Sequence, residues 1–495
     1  MNIRKITAVL LVSVMLGSAL TACSAPDADD TPETSDKSTE STAPAVTEPE
    51  ETKIPSGLPK AMDLEGQVFT FYGKTEKGVY AEEENGESVN DAVYARNLAL
   101  NEKYNFEILQ ISPTNQATPT KDILQNVQAG DDSYQVLIDG PRNSLIYYVS
   151  GNLLYDMNTL KYQDFDQPWW FHQLNDSLTL MNKLFMSANA FSLTSRQWLY
   201  HPIVNIDLMK DNGLDINNYY QMAYDGTWTL DEFIKLIRVG AADLNGDGVR
   251  DNNDRWGHSA DDYSGYCLAV GAGYLIADKD ENDIPYITAA TEEAINLWDK
   301  LVNNIFADTT NYLCIRNIKN VDHIWTESNR MMQNDQLLVQ ISMLEDGCRE
   351  YEINYGILPI PKANAEQENY IHTASCFNVP MFAVPISVKN VDDVSFVLEA
   401  MAYESYYNVL PVFYEAYLES KLARDVQSVD MLEIIHNTLV MDIGSVYNWG
   451  SYLTQIYKVV NQGKNTLVTH DASKRTVAAN AIADLIATIQ AGNQG

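Results

Sequence analysis

The feature that most constrains the fold is an alternation of strand and helix patterns at the start of the folded region. The predicted elements are a strand at 66–72, a helix at 90–103, a strand at 106–112, a helix at 120–129 and a strand at 134–139. Such alternation is typical of a parallel α/β sheet. In these sheets ligands collect beyond the carboxyl ends of the strands, where Tyr72 and Asp139 lie.

The first residues have the pattern of an export signal. Arg4 and Lys5 precede an apolar run, 6–20, that is too short to span a bilayer comfortably. The ending Leu-Thr-Ala-Cys at 20–23 resembles a bacterial lipobox. This resemblance implies that 1–22 is a lipoprotein signal peptide and that Cys23 carries the lipid anchor. The alternative is an ordinary signal peptide with an incidental cysteine.

Composition separates a tether from a folded body. Residues 23–57 are rich in Ser, Thr, Pro and acidic side chains and have few large apolar ones, so we expect a disordered acidic tether there and a folded domain over 58–495. The chain has 33 Lys and Arg against 68 Asp and Glu, a net charge of −35. Such a charge disfavours nucleic acid and anionic lipid surfaces as partners, leaving a lipid anchor as the expected link to the membrane.

The later part of the chain is mostly helical by pattern. Thr229-Leu-Asp-Glu232 predicts a capping box that begins a helix at 230. The other predicted segments are helices at 230–241 and 291–303, an extended stretch at 376–388, and helices at 391–417, broken near Pro411, and at 472–491. The remaining cysteines are Cys267, Cys314, Cys348 and Cys376, and the sequence does not decide whether they are free or paired.

The loop 243–254 has the spacing of an EF-hand calcium loop. Oxygen ligands fall at positions 1, 3, 5, 7, 9 and 12, with a glycine at position 6; the candidate ligands are Asp243, Asn245, Asp247, the carbonyl of Val249, Asp251 and Asp254. Hard oxygen ligands suit Ca²⁺, so a structural calcium ion is expected. The loop departs from the pattern in having Asp rather than Glu at position 12, which predicts modest affinity. The alternative is a surface turn without metal.

Taken in order, these pieces resemble a family 1 extracellular solute-binding protein, the lipoprotein component of a sugar-type ABC importer. The resemblance rests on the lipobox, the tether, the α/β pattern, Gly226-Thr-Trp-Thr-Leu-Asp-Glu-Phe233, the calcium-type loop and Tyr355-Gly-Ile-Leu-Pro-Ile-Pro-Lys362. A further segment, Ala402-Tyr-Glu-Ser-Tyr406 with Ala423-Arg-Asp425, is similar to a C-terminal region of Firmicutes members.

This resemblance implies an α/β, two-lobed periplasmic-binding-protein-like fold with an interlobe cleft and crossover strands. One lobe is expected at about 58–190 plus 320–385 and the other at about 191–319 plus 386–495. The implied function is capture of a small solute, most simply a carbohydrate, and its delivery to ABC permease subunits. The implied protein is a monomer without enzymatic activity, anchored on the extracellular face of the membrane of a Gram-positive bacterium.

A sugar site needs aromatic faces for C–H groups and fixed polar groups for hydroxyls. The candidate ligand-binding residues are Trp198, near the first crossing between lobes, and then Tyr72, Asp139 and Trp449. For each aromatic, burial in a core is the alternative role.

Two other classes remain open from the sequence, a lipid-anchored glycan hydrolase and a non-catalytic surface adhesion protein. The zinc, serine-hydrolase and phosphate-loop motifs are absent from the sequence. A pair of glycosidase carboxylates is not excluded among 68 acidic residues.

Overall fold

The computed structural model describes residues 53–113, 120–343, 352–419 and 426–492, apart from the side chains of Asn143 and 417–419. Contacts divide the chain into two units, Met1–Gly57 and Leu58–Gly495, and the second is described below. The predicted signal peptide, Cys23 and most of the predicted tether lie outside the described residues, as does Cys348.

Strands and helices alternate along the described chain. The strands are β1 (Gln67–Gly73), β2 (Phe106–Ile111), β3 (Val136–Asp139), β4 (Tyr200–Asn205), β5 (Trp256–Ala260), β6 (Ala277–Lys279), β7 (Pro285–Ile287), β8 (Tyr312–Cys314), β9 (Leu337–Met343), β10 (Tyr355–Ile357), β11 (His372–Thr373), β12 (Met381–Ala383) and β13 (Leu439–Val440).

The first eleven α-helices in the described residues are α1 (Ser88–Tyr104), α2 (Thr120–Gln128), α3 (Pro141–Ser150), α4 (His172–Ser177), α5 (Leu193–Gln197), α6 (Ile206–Asp211), α7 (Ile216–Tyr224), α8 (Leu230–Ile237), α9 (Asp262–Gly271), α10 (Glu292–Leu301) and α11 (Ile324–Gln333). The others are α12 (Val391–Asn408), α13 (Leu410–Glu419), α14 (Val426–Asn437), α15 (Ile443–Tyr447), α16 (Tyr452–Gln462) and α17 (Leu467–Gly492). None of these helices combines the length and apolar character that crossing a bilayer requires.

The predicted parallel sheet is confirmed. Its strand order is β12-β3-β1-β2, with β1 parallel to β2 and β3, and β12 antiparallel at one edge. The Phe71 side chain of β1 is buried and packs edge-on against Phe191 and Phe382 at ring-centroid distances of 6.4 and 6.2 Å. Because β1, β2 and β3 run in the same direction, their carboxyl ends share one edge of the sheet.

A second, mixed sheet has the order β10-β4-β9-β5-β8. Strands β8 and β9 are parallel to β5, whereas β4 is antiparallel to β9 and places Tyr200 opposite Met343. The beginning of β4 therefore lies at the same edge as the carboxyl ends of β5, β8 and β9. The buried Phe233 ring of α8 packs edge-on against His258 of β5, at 5.2 Å.

The division between the two sheets differs from the expected lobe boundaries. The expectation placed 320–385 with the first lobe, but β9 and β10 pair with β4 in the second sheet, and β12 is the strand that returns to the first. Helix α12, expected in the second lobe, packs against α1 of the first, where Phe396 meets Tyr104 edge-on at 4.8 Å. Hydrophobic pattern alone does not reveal which sheet a strand joins.

The capping box predicted at Thr229 does not form. Helix α8 begins at Leu230 as predicted, but the Thr229 side chain makes no capping hydrogen bond. The Leu230 N–H donates instead to the Lys362 carbonyl at 2.8 Å, and Glu232 pairs with Lys235. The free N–H groups at this helix start are therefore met in part by a neighbouring backbone.

Candidate functional site

A cavity opens at the carboxyl edge of the five-stranded sheet. It contains about 280 Å³ of empty space, including the part open to solvent. Its lining comes from the ends of β4, β5 and β9 together with the segment after β8 and α11. The lining residues are Tyr200, Ser259, Ala260, Asp261, Ile315, Trp325, Ser328, Gln340, Ile341, Ser342 and Met343.

The lining combines an exposed aromatic ring with fixed polar groups. Trp325 is 37% exposed, and the Arg316 guanidinium lies 4.8 Å from its ring centroid. Gln340 donates from Nε2 to the Ser328 hydroxyl at 3.0 Å, and the Ser259 hydroxyl lies 3.4 Å from that of Ser328. An indole face beside hydroxyl and amide groups matches the two kinds of surface that a sugar presents.

Asp261 is held at the cavity by the helix that follows it. Its Oδ1 accepts the Ser264 N–H and the Ser264 hydroxyl, both at 2.7 Å, and forms the capping box of α9. Its Oδ2 lies 3.7 Å from Arg316, which also pairs with Asp262 at 2.9 Å. Burial raises the pKa of the Asp261 carboxyl, opposed by the hydrogen bonds from Ser264. The cavity thus has an acidic group fixed in position, with a cation already beside it.

A row of aromatic rings leads from this cavity to the other sheet. Tyr200 lies 5.3 Å from Tyr263, and Tyr263 lies 6.0 Å from Phe377, measured between ring centroids. The guanidinium of Arg142 lies 5.7 Å from the Phe377 ring centroid. We call these three rings with Trp325 the aromatic row. It links residues of the second sheet to the start of α3, which follows the carboxyl end of β3.

Close backbone packing fixes Phe377 against the first sheet. Its carbonyl accepts the Lys74 ammonium at 2.7 Å, and the Arg142 N–H donates to the Cys376 carbonyl at 3.0 Å. A Cβ on Gly140 would lie only 2.6 Å from the Phe377 oxygen, so this approach requires glycine. Burial lowers the pKa of Lys74, and Asp139 opposes this effect.

Three segments that connect the sheets lie side by side and form the crossing: the residues just before β4, the segment with β11, and β13. Leu199 bridges Ala374, and β11 pairs in parallel with β13. Three buried histidines are found here, with His372 bonded through its two ring nitrogens to the Ile360 N–H and the Thr438 hydroxyl. Burial lowers the pKa of His201 to about 4 and that of His372 to about 3, and it also lowers the pKa of His436. The crossing is therefore built with neutral imidazoles at neutral pH.

The four predicted ligand-binding residues lie outside the lining of this cavity. Trp198 ends α5, two residues before Tyr200, and is half-buried against the core. Tyr72 is buried, stacks on Tyr134 at 4.1 Å and donates its hydroxyl to Asp122 at 3.3 Å. The ligand role of both residues stays a prediction.

Asp139 and Trp449 have structural partners. The buried Asp139 carboxylate accepts from the Gly140 N–H at 2.8 Å, Tyr148 at 2.9 Å and Thr120 at 3.1 Å, and burial raises its pKa. Trp449 is 4% exposed and stacks on Tyr447 at 4.9 Å. The Trp449 Nε1 has no acceptor among the described residues.

The sequence analysis assigned neither Tyr200 nor Trp325 as a ligand residue. It missed Asp261, Tyr263, Phe377 and Arg142. A signal existed for Asp261, since Asp-Asp-Tyr-Ser at 261–264 follows a buried strand as a capping residue does. Phe377 and Arg142 become neighbours only through the antiparallel return of the chain at β12.

The predicted calcium loop is closed by pairing of Ala242 with Arg255. Asp243 accepts the N–H groups of Gly246 and Gly248 at 2.7 and 2.9 Å, and both glycines have positive φ. The buried Asp254 accepts the N–H groups of Leu244 and Asp251, each at 3.0 Å.

The other predicted calcium ligands also bond within the loop. The side chains of Asn245, Asp247 and Asp251 each accept the N–H two residues ahead, and Val249 is exposed. Within the described ranges, no three His, Cys, Asp or Glu side chains converge as a metal site would require. In this arrangement the carboxylates accept hydrogen bonds from the loop's own backbone, and the calcium ion stays a prediction.

The described cysteines are free thiols. Cys267, Cys314 and Cys376 are buried and unpaired by disulfides. Burial raises the pKa of the Cys376 thiol to about 11, so it is protonated at neutral pH. These cysteines act as small apolar residues of the core.

Neither a protein-family model nor a curated protein sequence matches this chain. Solved protein structures, in contrast, match this chain. Mycobacterium tuberculosis UspC matches with a TM-score of 0.53 and 14% identity, over 85% of this chain and 100% of that one. A cyclo/maltodextrin-binding protein complexed with maltotetraose matches with a TM-score of 0.53 and 13% identity, over 86% and 97%. At these identities the likeness shows the fold, and the chain has the two-lobed, periplasmic-binding-protein-like α/β fold that its sequence resemblance implied.

Proposed function

We propose that the chain is a solute-binding protein that captures a carbohydrate and delivers it to an ABC importer. The observation that carries this proposal is the cavity at the carboxyl edge of the second sheet, joined by the aromatic row to the carboxyl edge of the first. The solved cyclo/maltodextrin-binding protein supports the choice of carbohydrate, since it shares the fold and was solved with maltotetraose.

The proposed mechanism uses residues near both sheets, since the cavity lies at the edge of the second sheet and the aromatic row extends from it to Phe377 and Arg142 beside the first. A ligand that contacts Trp325 on one side and Phe377 with Arg142 on the other stabilises a closed arrangement more than an open one. This difference in affinity is what moves the equilibrium, because equal binding to both states shifts nothing. The closed surface is then what a permease recognises.

The location of the protein follows as part of the same proposal. The lipobox ending at Cys23 and the acidic segment that follows support a lipid anchor with a tether, on the extracellular face of the membrane. Labelling with radioactive palmitate, comparing the wild type with Cys23→Ala, tests it. Loss of label and release into the medium are expected for the variant, and an unlabelled wild type would refute the anchor.

We also propose, from the loop sequence, a structural Ca²⁺ ion at 243–254. Each carboxylate oxygen has two acceptor directions, and the hydrogen bonds within the loop use one. Binding would therefore need the side chains of Asp243, Asp247 and Asp251 to turn toward a common point. This cost is consistent with modest affinity.

The deciding experiment is a thermal-shift screen of glycans followed by calorimetry and product analysis on the full soluble domain. Stoichiometric binding with the glycan recovered intact is the expected result. Turnover of the glycan would support a surface hydrolase instead. Insensitivity of the melting temperature to every solute would contradict solute capture and leave an adhesion role.

A further inference from the structure

We propose that the captured carbohydrate carries a carboxylate, as a uronic acid does, and that Arg142 binds it. This inference rests on the proposed function and adds the chemical class of the ligand. Its basis is the position of a guanidinium, without an ion pair in the described part of the chain, next to the Phe377 end of the aromatic row.

Arg142 lies beside Phe377 and has no ion pair among the described residues. Its backbone N–H donates to the Cys376 carbonyl at 3.0 Å, and its guanidinium lies over the Phe377 ring at 5.7 Å. The side chain is half-buried, and Nε is shielded from solvent with no acceptor in the described part of the chain. Guanidinium groups in such positions normally donate to carboxylates, and a shielded donor without an acceptor is unfavourable.

The surrounding charges make this arginine unusual for the chain. Acidic residues outnumber basic ones by 68 to 33. The other arginine of the cleft, Arg316, is paired with Asp262 and lies close to Asp261. Beside Arg142, the half-buried Lys74 adds a second cation whose ammonium bonds only to the Phe377 carbonyl among described atoms. The Arg316 end of the aromatic row is therefore neutralised, whereas at the other end Asp139 lies near Lys74 and no described carboxylate pairs with Arg142.

A carboxylate is the ligand group that this end of the row fits best. It accepts two parallel N–H bonds from a guanidinium in a plane, and the C–H face of the sugar ring beside it can pack on Phe377. A neutral hydroxyl would satisfy one donor but leave the local positive charge without compensation. A phosphate would fit the charge, but the guanidinium lies beside the Phe377 ring, which a sugar ring can pack against.

The test uses matched oligosaccharide pairs of two to four units. Galacturonic, glucuronic and mannuronic acid oligomers are compared with their methyl esters, which differ only in charge and the ester group, and with neutral glycans including maltotetraose. We expect a free acid to bind at least about tenfold more tightly than its ester, the usual range for a charge-assisted hydrogen bond. Raising the KCl concentration should weaken binding of the acid and leave binding of the ester unchanged.

Variants identify the residue responsible. Arg142→Gln should abolish the preference for the acid, and Arg142→Lys should retain part of it because the charge remains. The control is Arg238→Gln, which removes the same charge at an exposed position where the guanidinium contacts Asn304. Melting temperatures without ligand should match, because Arg142 has no described ion pair to lose; if Arg142→Gln does not fold, the Lys variant gives the result.

The outcomes separate this inference from the proposed function. Equal binding of acids and esters, or an acid preference that survives Arg142→Gln, overturns the inference. Binding of neutral glycans alone also overturns it while supporting carbohydrate capture. Failure of every glycan to bind would defeat both proposals together.

Discussion

Tyr263 of α9 and Cys376 of the returning segment are joined across the crossing between the two sheets. The Tyr263 hydroxyl accepts the Cys376 N–H at 3.1 Å and donates to the Ala374 carbonyl at 3.2 Å. Both residues are buried, so this hydroxyl satisfies backbone groups that water does not reach. The same ring belongs to the aromatic row, which ties the geometry of the proposed site to that of the crossing.

Removing this hydroxyl should destabilise the protein without disturbing the ring. In Tyr263→Phe the Cys376 N–H loses its acceptor, so the free energy of unfolding should fall by about 1–3 kcal/mol. Urea unfolding followed by circular dichroism measures the change. The control is Tyr286→Phe, at a position that is 48% exposed, where a change within about 0.5 kcal/mol is expected. An equally small effect at Tyr263 would contradict the structural role of its hydroxyl.

Substitutions of Trp325 and Trp198 distinguish a ligand bound at the cavity from a ligand bound at the position that the sequence first suggested. Trp325→Ala removes an exposed lining ring, so glycan affinity should fall about tenfold or more with little change in unfolding free energy. Trp198→Ala is also predicted to weaken binding, but less, since Trp198 is half-buried outside the lining. Calorimetry with a glycan from the screen compares them. A larger loss of affinity at Trp198 would move the site away from the cavity.

The elements of the fold were largely predictable because each is encoded locally. Alternating apolar residues such as Phe69 and Phe71 specify β1, and the predicted strands and helices up to 139 match the structure within two residues. The break expected near Pro411 separates α12 from α13. What the local pattern could not supply was the partner of each strand, as the placement of β9 and β10 in the second sheet shows.

The candidate site was less predictable because it depends on contacts between distant parts of the chain. Phe377 reaches Tyr263 and Arg142 only when β12 returns antiparallel to β3. Likewise Trp325 and Tyr200 line one cavity because β4 runs antiparallel to β9. Strand ends indicated the carboxyl edge of the first sheet, but the residues of the candidate site come mostly from the following helices and from the return segment.

Calcium should stabilise the protein if the loop at 243–254 binds it. We expect added Ca²⁺ to raise the melting temperature and EDTA to reverse the change, with Asp243→Ala abolishing the response. The variant also loses the hydrogen bonds to Gly246 and Gly248, so the calcium-dependent increment is the quantity to compare, not the melting temperature itself. Glu281→Ala, at an exposed position elsewhere, should respond like the wild type. If the melting temperature of the wild type changes with neither Ca²⁺ nor EDTA, the loop is a surface turn that binds no calcium.

Glu399 should give the stability a specific pH dependence. Its carboxylate is buried and accepts the indole N–H groups of Trp169 at 2.6 Å and Trp170 at 2.9 Å, and burial raises its pKa from 4.5 to about 7. The folded state therefore keeps a proton that the unfolded state has released, and the resulting stabilisation is full below pH 4.5 and lost as the pH rises through about 7.

Glu399→Gln cannot titrate and loses one indole acceptor, so it should be less stable than the wild type, by more at pH 5 than at pH 8. Urea unfolding from pH 5 to pH 8 measures the difference in unfolding free energy between the wild type and Glu399→Gln. Because both proteins share all other titrating groups, the contributions of those groups cancel in this difference. Glu366→Gln, at an exposed position, should show no such trend. A difference between wild type and Glu399→Gln that stays constant from pH 5 to pH 8 would mean that the buried carboxyl titrates as it does in the unfolded chain.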